Sequence, residues 1–293
     1  MFILLNHHGE EANLKKKIAL LTYGLCLLAV WPAAAETLRL GDSAVIQNTK
    51  DSVSLRILPD TESDALLHIP LQESVTYLAP EKDGFAEIEY EGARGYVPAD
   101  CLEGQTKHGA TYSLTDEERM NINIFLSNFT EQGMMRYDEE TATDEELVRF
   151  SVWHIWFNQH DRWENGTWGE NNRRLNVKGV ADIAQKYFGR RPLMMDLTEM
   201  NYDGEYYYFQ ETGGNMGIGF ACMSEAESLG GGLYRVYFGV YGEGEAWNVA
   251  DCGLLPEQAA NLYEYTPRQG CAVIRTLGFS TRDGMTLKSL IIE

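Results

Sequence analysis

Phe85-Ala-Glu-Ile-Glu-Tyr90-Glu91-Gly92-Ala93-Arg-Gly-Tyr-Val97 alternates apolar and polar residues on both sides of a two-residue break. A period of two places every second side chain on one face of a strand. Glu91-Gly92 at the break suits a tight hairpin, because glycine accepts the positive φ such turns need. Working outward, Val53-Ser-Leu-Arg-Ile57 and Val75-Thr-Tyr-Leu78 repeat the alternation. Closely spaced short strands from Val45 to Leu102 predict a small barrel that closes its own sheet edges. The segment after it, Glu103 to Thr111, is polar, contains glycine and has no period, so it reads as a linker, with 104–111 as its extent.

Beyond the linker the period changes. Thr115-Asp-Glu-Glu118 and Thr143-Asp-Glu-Glu146 are capping boxes. The first opens a helix with Ile122, Phe125, Leu126 and Phe129 on one face, the second a helix through Leu147, Phe150, Ile155 and Trp156. A third starts near Asn176, carries Val180, Ile183, Ala184, Tyr187 and Phe188, and ends at Gly189. From Glu205 the period returns to two, over 205–210, 216–222, 233–241, 271–281 and 285–292. Asp283-Gly284 reads as a hairpin turn, and Pro256 as the start of a short helix through Tyr263. Helices first and antiparallel strands afterwards predict an α+β domain over 112–293, its helices on one sheet face.

The chain has 293 residues, 24 Lys and Arg against 44 Asp and Glu, and a net charge of −20. That balance excludes nucleic acid as an electrostatic partner and disfavours anionic membranes and wall polymers. Lys15-Lys16-Lys17, an apolar run from Ile18 to Val30, and Ala33-Ala34-Ala35 have the form of a signal peptide over 1–35, cleaved after Ala35 with Ala33 and Ala35 as the small-residue signal. The run is too short to span a membrane, and Tyr23-Gly24-Leu25 before Cys26 is a poor lipidation signal. Cleavage would remove three Lys and two Glu, leaving 21 basic against 42 acidic side chains, with Cys101, Cys222, Cys252 and Cys271 as the remaining thiols. Cys252 and Cys271, with eighteen residues between them, are the pair that could bridge; free buried thiols are the alternative.

The N-terminal strands resemble the bacterial SH3 family. The residues that carry this are Val53-Ser54-Leu55-Arg56, Pro59, Gly84-Phe85, Tyr90-Glu91-Gly92-Ala93-Arg94-Gly95-Tyr96-Val97 and the closing Leu102, about a fifth of the chain. Ser54 departs from the pattern, where the family commonly has Asn. The resemblance implies an SH3-like barrel over 36–103 that docks to peptidoglycan or a cell-surface protein, with Arg56, Phe85, Tyr90 and Tyr96 as the matching positions for a binding face. The helical part, with Leu126-Ser127-Asn128-Phe129 and Tyr187-Phe188-Gly189, is similar to a region that accompanies such modules in secreted proteins of Gram-positive bacteria, to which no activity attaches.

Several constellations invite chemistry. Asp251-Cys252-Gly253-Leu254-Leu255 resembles the nucleophile run of NlpC-type cysteine peptidases, but the family's Ser is missing and none of His7, His8, His68, His108, His154 and His160 follows Cys252 to take its proton. His154 and His160 are six apart, about 240° around a helix, which does not suit a shared metal. The alternating aromatics at Tyr206-Tyr207-Tyr208-Phe209 and Tyr234 to Val240 put half their number in a core, and the outward half, with Trp247, is a candidate glycan or peptide platform. The glycine runs at 213–219 and 230–232 lack a phosphate-loop pattern, and neither a metal nor a cofactor is implied.

The expectation is therefore an exported, non-catalytic binding protein, wall-associated or secreted, without a transmembrane span in its mature form. A cell-wall hydrolase with its site in the α+β domain and an extracytoplasmic ligand sensor are the alternatives. Gly9-Glu10-Glu11, whose purine-rich codons can spell a ribosome-binding site, precedes Leu14 by two codons, and we expect translation to begin at Leu14, read as Met. Mass spectrometry should then find no peptide from Asn6 to Asn13; detecting one would place the start upstream.

Overall fold

Backbone hydrogen bonding organises the chain into three antiparallel sheets. The computed structural model describes residues 38–106, 108–197, 199–210, 219–244, 247–263 and 266–293, and within it Arg39–Glu293 form one compact unit. Ala33 and Ala35, and the glycines at 213, 214 and 217, lie outside the described residues.

The first sheet contains β1 (Ser43–Ile46), β2 (Ser52–Arg56), β3 (Ala65–Pro70), β4 (Ser74–Lys82), β5 (Phe85–Tyr90), β6 (Ala93–Pro98) and β7 (Leu102–Gly104). Its hairpin residues Glu91 and Gly92 both have positive φ, 49° and 78°, as the β5–β6 turn requires. Ile88, Leu55, Ile69, Val97 and Ile46 are fully buried on one face. The strand order is β3-β2-β6-β5-β4-β1-β7, and among the described residues no ladder joins β3 to β7. The closed barrel expected from the strand spacing is thus not formed: β3 pairs with β2 alone, β7 with β1 alone, and both remain edges.

The expected linker is ordered at both ends. β7 belongs to the first sheet, while β8 (Ala110–Thr111) pairs with Glu227 and Ser228 of the α+β part. Gly109 between them is required by proximity, since a Cβ there would lie 2.1 Å from the Ser228 carbonyl oxygen.

The α+β part follows with α1 (Asp116–Thr130), β9 (Arg136–Asp138), α2 (Asp144–Asn158), β10 (Glu164–Trp168), β11 (Asn171–Asn176), α3 (Val177–Phe188), β12 (Asn201–Tyr202), β13 (Tyr206–Phe209), β14 (Phe220–Gly230), β15 (Leu233–Tyr241), α4 (Pro256–Tyr263), β16 (Arg268–Arg275) and β17 (Thr286–Ile292). Both capping boxes are made, Thr115 with Glu118 and Thr143 with Glu146. Asn176 caps α3 and Gly189 ends it at φ 74°. The six-stranded sheet runs β8-β14-β15-β16-β17-β9, and the helices lie on the face carrying Ala221, Val236, Phe238, Ala272, Ile274 and Leu290. Phe129, Phe150, Tyr187 and Phe188 interlock there, Phe150 lying 4.8 Å from Phe129 and 4.9 Å from Phe188 between ring centres. A four-stranded sheet, β10-β11-β13-β12, completes the fold.

Two strands differ from their predicted extents. β14 runs on to Gly230, and β16 stops at Arg275, so residues 276–285 form a long connection in which Asp283-Gly284 is one turn. Phe279 causes the break: it leaves the sheet and packs edge-on against Tyr112 and Tyr234, at 5.9 and 4.7 Å.

All four described cysteines are free and buried, which corrects the Cys252–Cys271 pairing. Cys252 lies in the 3-10 turn Asp251–Gly253, its Sγ 3.5 Å from Ser127 Oγ on α1. Cys271 lies on the opposite sheet face under Gly41, where a Cβ would come within 3.2 Å of its Sγ.

On that opposite face the 39–42 turn is held by charge. Arg39 Nη1 lies 2.9 Å from Glu227 and 3.1 Å from Glu225; Arg235 Nη1 lies 3.5 Å from Glu227 and 3.8 Å from Asp42; the His108 ring nitrogens lie 3.3 Å from Asp42 and from Glu227. Burial pushes the Asp42 carboxyl up, against the Arg39 backbone N–H, His108 and Arg235, which pull it down. Arg94 adds ion pairs to Glu89 and the terminal Glu293, and Arg136 reaches Glu89 from β9.

The first half of β14 pairs with β15 on one side, and among the described residues no strand covers its other edge, since β8 reaches only Glu227 and Ser228. Its Met223 N–H donates to Asn123 Oδ1 at 2.8 Å and its Ala221 N–H to Ser127 Oγ at 2.9 Å, while Asn123 Nδ2 donates to the Cys252 carbonyl at 2.8 Å. Asn123→Leu keeps the branched outline of the side chain and strands a buried donor, the Met223 N–H, and a buried acceptor, the Cys252 carbonyl. It should cost about 2–4 kcal/mol in urea unfolding; a loss under about 1 kcal/mol would show that water reaches these groups.

Candidate functional site

Asn123, Ser127 and Thr130 face β14, and about a third of a turn further round α1 a second stripe carries Glu117, Asn121, Ile124 and Asn128. They form one wall of a cavity of about 580 Å³. The C-terminal end of α2 supplies His154, Asn158 and Gln159, the end of α3 supplies Lys186 and Tyr187, and the 276–285 connection contributes Ser280, Thr281, Arg282 and Asp283. Its size falls in the range of about 300–1,000 Å³ that small-molecule sites occupy.

His154 is almost wholly enclosed, stacked on Phe150 one turn earlier and 4.7 Å from the Tyr187 ring. Burial, helped by Lys186 and Arg162, pulls its pKa down to about 3, so the ring is neutral. Its Nδ1 is 3.4 Å from Asn158 Nδ2 and its Nε2 is 3.1 Å from Gln159 Nε2. A neutral imidazole has one N–H and one acceptor nitrogen, so it cannot accept from two amide nitrogens at once. Gln159 Oε1 is buried without a partner. Turning that carboxamide over would satisfy the ring and strand Nε2 in place of Oε1. In either orientation one polar atom of Gln159 is left over.

Behind Asn158 stands Glu131, the residue that ends α1, whose Oε1 accepts from Asn158 Nδ2 at 2.5 Å. Burial pushes its carboxyl from the ordinary 4.5 up to about 7, against that hydrogen bond. The Tyr187 hydroxyl is also pushed up, chiefly by burial. At the mouth, Lys186 Nζ pairs with Asp283 at 3.2 Å.

The residues expected to bind are scattered. Arg56 and Tyr96 are directly opposite each other on β2 and β6, and Arg56 Nη1 donates to the Ser63 carbonyl. Phe85 is buried in the first sheet, and Tyr90 sits at the hairpin. Trp247 lies elsewhere, 5.5 Å from Phe220 and half-buried. The aromatic platform is also altered. Tyr207 and Phe209 enter the core; the outward Tyr206 is covered by Arg174 at 3.9 Å, and Tyr208 by Trp168 at 5.2 Å, with Trp247 not among them. The cavity residues carried one sequence signal: the polar stripe Glu117, Asn121 and Asn128 at helical spacing.

Burial raises the Cys252 thiol to about 11 and its neighbour Cys222 to about 12, the reverse of an activated nucleophile. The groups nearest Cys252 are Ser127 and Asn123 rather than an imidazole, and both His154 nitrogens face carboxamides. Among the described residues no three His, Cys, Asp or Glu side chains converge as metal ligands, and no helix is long and apolar enough to cross a membrane.

No family model and no curated protein matches the chain. Among solved structures, NlpC1 from Trichomonas vaginalis is 23% identical over 30% of this chain and 30% of its own, with a TM-score of 0.20. NlpC2 from Trichomonas vaginalis is 12% identical over 86% of this chain and 72% of its own, also at 0.20. The chain thus spans under a third of the first structure's length, and neither likeness carries an argument about fold or function.

Glu131 makes the cavity wall pH-dependent. Between pH 4.5 and 7 the folded protein keeps a proton that the unfolded chain releases, so the Glu131 contribution to stability falls as pH rises through that window. Replacing it by Gln, which keeps the acceptor for Asn158, removes the titration. Relative to wild type, Glu131→Gln should gain about 3 kcal/mol in urea unfolding between about pH 4 and pH 8. Parallel profiles would mean that Glu131 titrates as it does in water.

Proposed function

We propose that this is an exported binding protein: an N-terminal SH3-like module that docks to peptidoglycan or a cell-surface protein, joined to an α+β body that holds a small polar ligand. The observation that carries the reading is the cavity between α1, α2 and α3, which is lined by the carboxamides of Asn121, Asn128 and Asn158 and the hydroxyls of Ser280 and Thr281. The signal-like segment at 1–35 supports export, and the residues quoted from Val53 to Leu102 support the SH3-like assignment. The candidate nucleophile Cys252, with its raised pKa and its Ser127 contact, supports binding over thiol hydrolysis.

A strongly acidic protein meets anionic wall polymers against repulsion, so docking must rest on shape, stacking and hydrogen bonds. The chain beginning at Glu36 should sediment with insoluble peptidoglycan to the same extent from about 0.1 to 0.5 M salt, whereas a charge-driven contact would weaken steeply. Arg56→Ala with Tyr96→Ala, neighbours across β2 and β6, should reduce the bound fraction. Protein that stays in the supernatant throughout the series would remove wall docking from the proposal.

A further inference from the structure

Of the two edges of the first sheet, β7 is guarded and β3 is not. β7 has three residues with the exposed Glu103 in the middle, and shortness and charge are what keep an edge from pairing with another chain. β3 has six, Ala65-Leu-Leu-His-Ile-Pro70, and none of them is Asp, Glu, Lys or Arg. Its Leu66 is 47% exposed, and Ala65, His68 and Pro70 are exposed with it. The Leu71 N–H donates to the Asp51 carbonyl at 2.9 Å, and the register continues through Val53↔Ile69 to Leu55↔Leu67. An antiparallel ladder turns the backbone of alternate residues toward its partner. Leu67 and Ile69 therefore bond to β2, while the His68 N–H and C=O and the Pro70 C=O point away from it, where among the described residues no strand meets them. Proline stands only at the last position, so it leaves the rest of the edge able to donate.

The surroundings of this edge favour one kind of partner. Among the described residues of the first sheet, the exposed large apolar side chains are Ile57, Leu58, Leu66 and Leu71, and all four lie on β3 or beside its ends. Ile57 is held there by its N–H on the Asp64 carbonyl at 3.1 Å, and Leu58 by its N–H on Ser63 Oγ at 3.0 Å. A strand laid along β3 would take this apolar surface out of water while pairing the open backbone groups. Charge sets a second requirement. No Lys or Arg occurs from residue 57 to residue 81, whereas Asp60, Glu62, Asp64 and Glu73 are all exposed there. Arg56, the nearest base before them, is turned to the Ser63 carbonyl. A second copy of this chain would bring the same acids and a further charge of −20 to the edge, so the flanks oppose self-pairing and attract a basic strand.

We propose that β3 is a docking edge for an extended segment of a partner protein, apolar along its length and flanked by Lys or Arg, which adds a strand to the first sheet. The inference goes beyond wall docking and the ligand cavity and needs neither.

Fluorescence polarisation tests it, with the chain beginning at Glu36 and a labelled peptide of alternating Thr and Val flanked by Lys. The peptide should bind saturably, and more weakly as salt rises. The same peptide flanked by Glu should bind at least about ten-fold more weakly. N-methylation at alternate residues, which removes the N–H groups that would face β3, should abolish binding. Leu66→Lys changes an exposed side chain, places a charge on the edge and should weaken the Lys-flanked peptide about ten-fold or more. Asp60→Asn, Glu62→Gln and Asp64→Asn together should bring the two flanked peptides close to equal affinity. An N-methylated peptide that binds as tightly as its parent, or binding that Leu66→Lys leaves unchanged, would reduce the contact to charge alone and overturn the proposal. So would sedimentation of the protein as a dimer that Leu66→Lys dissociates, which would give the edge to a second copy. Absence of saturable binding by the Lys-flanked peptide also overturns it, and leaves sedimentation with peptidoglycan to its own test.

Discussion

Much of this fold depends on an edge that has no strand to cover it. Once buried, the N–H groups of Ala221 and Met223 on β14 need acceptors, and α1 provides them through Ser127 and Asn123. A buried amide without a partner costs more than a made hydrogen bond contributes, so the helix cannot slide or turn without breaking several contacts together. Asn123 extends the constraint to the Cys252 turn, and Thr130 extends it to the Gly219 carbonyl at 2.6 Å. With one stripe of α1 committed to the sheet edge, Asn121, Ile124 and Asn128 are turned about a third of the way round the helix, onto the cavity wall. The cavity is therefore a consequence of how the edge is satisfied.

The opposite face of the six-stranded sheet presents a different electrostatic problem. Asp42 and Glu227 are both fully enclosed, and two buried carboxylates repel unless positive groups stand close. Arg39 and Arg235 come from separate segments to do this, with the His108 ring lying 3.3 Å from Asp42 and from Glu227. The first sheet and the α+β part are joined here by groups that would be costly to separate. Gly109, pressed against Ser228, makes the same junction sterically tight. A stretch that looks like an open linker in the sequence is part of a closely fitted contact.

What could be read in the sequence was local. Thr115 with Glu118, Thr143 with Glu146, and Asn176 with Gly189 place helix ends by bonds that span three or four residues or by one backbone conformation, and all are made. The β5–β6 hairpin and the range of β15 followed from period and turn chemistry in the same way. Features that depend on distant partners were not legible. The close spacing of short strands says nothing about whether β3 finds β7, and Phe279 looks like a strand residue until Tyr112 and Tyr234 take it out of line. Eighteen residues between Cys252 and Cys271 suited a bridge, yet Cys252 packs against Ser127 and Cys222 while Cys271 lies under Gly41. Of the candidate site, only the polar stripe on α1 had a period to betray it. His154, Lys186 and Ser280 come from three other elements.

The neutrality of the cavity follows from the same packing. Phe150 and Tyr187 enclose His154 because they belong to the aromatic knot that joins α1, α2 and α3, and that enclosure removes the water a charged imidazole needs. Glu131 loses its water at the same junction, since it ends the helix whose position the β14 edge dictates. Asn121, Asn128 and Asn158 are then polar without charge, while Glu117, Lys186, Arg282 and Asp283 carry the charges of the cavity lining. Under the proposed function, the direction of these hydrogen bonds would count for more than the field of a chain whose net charge is −20.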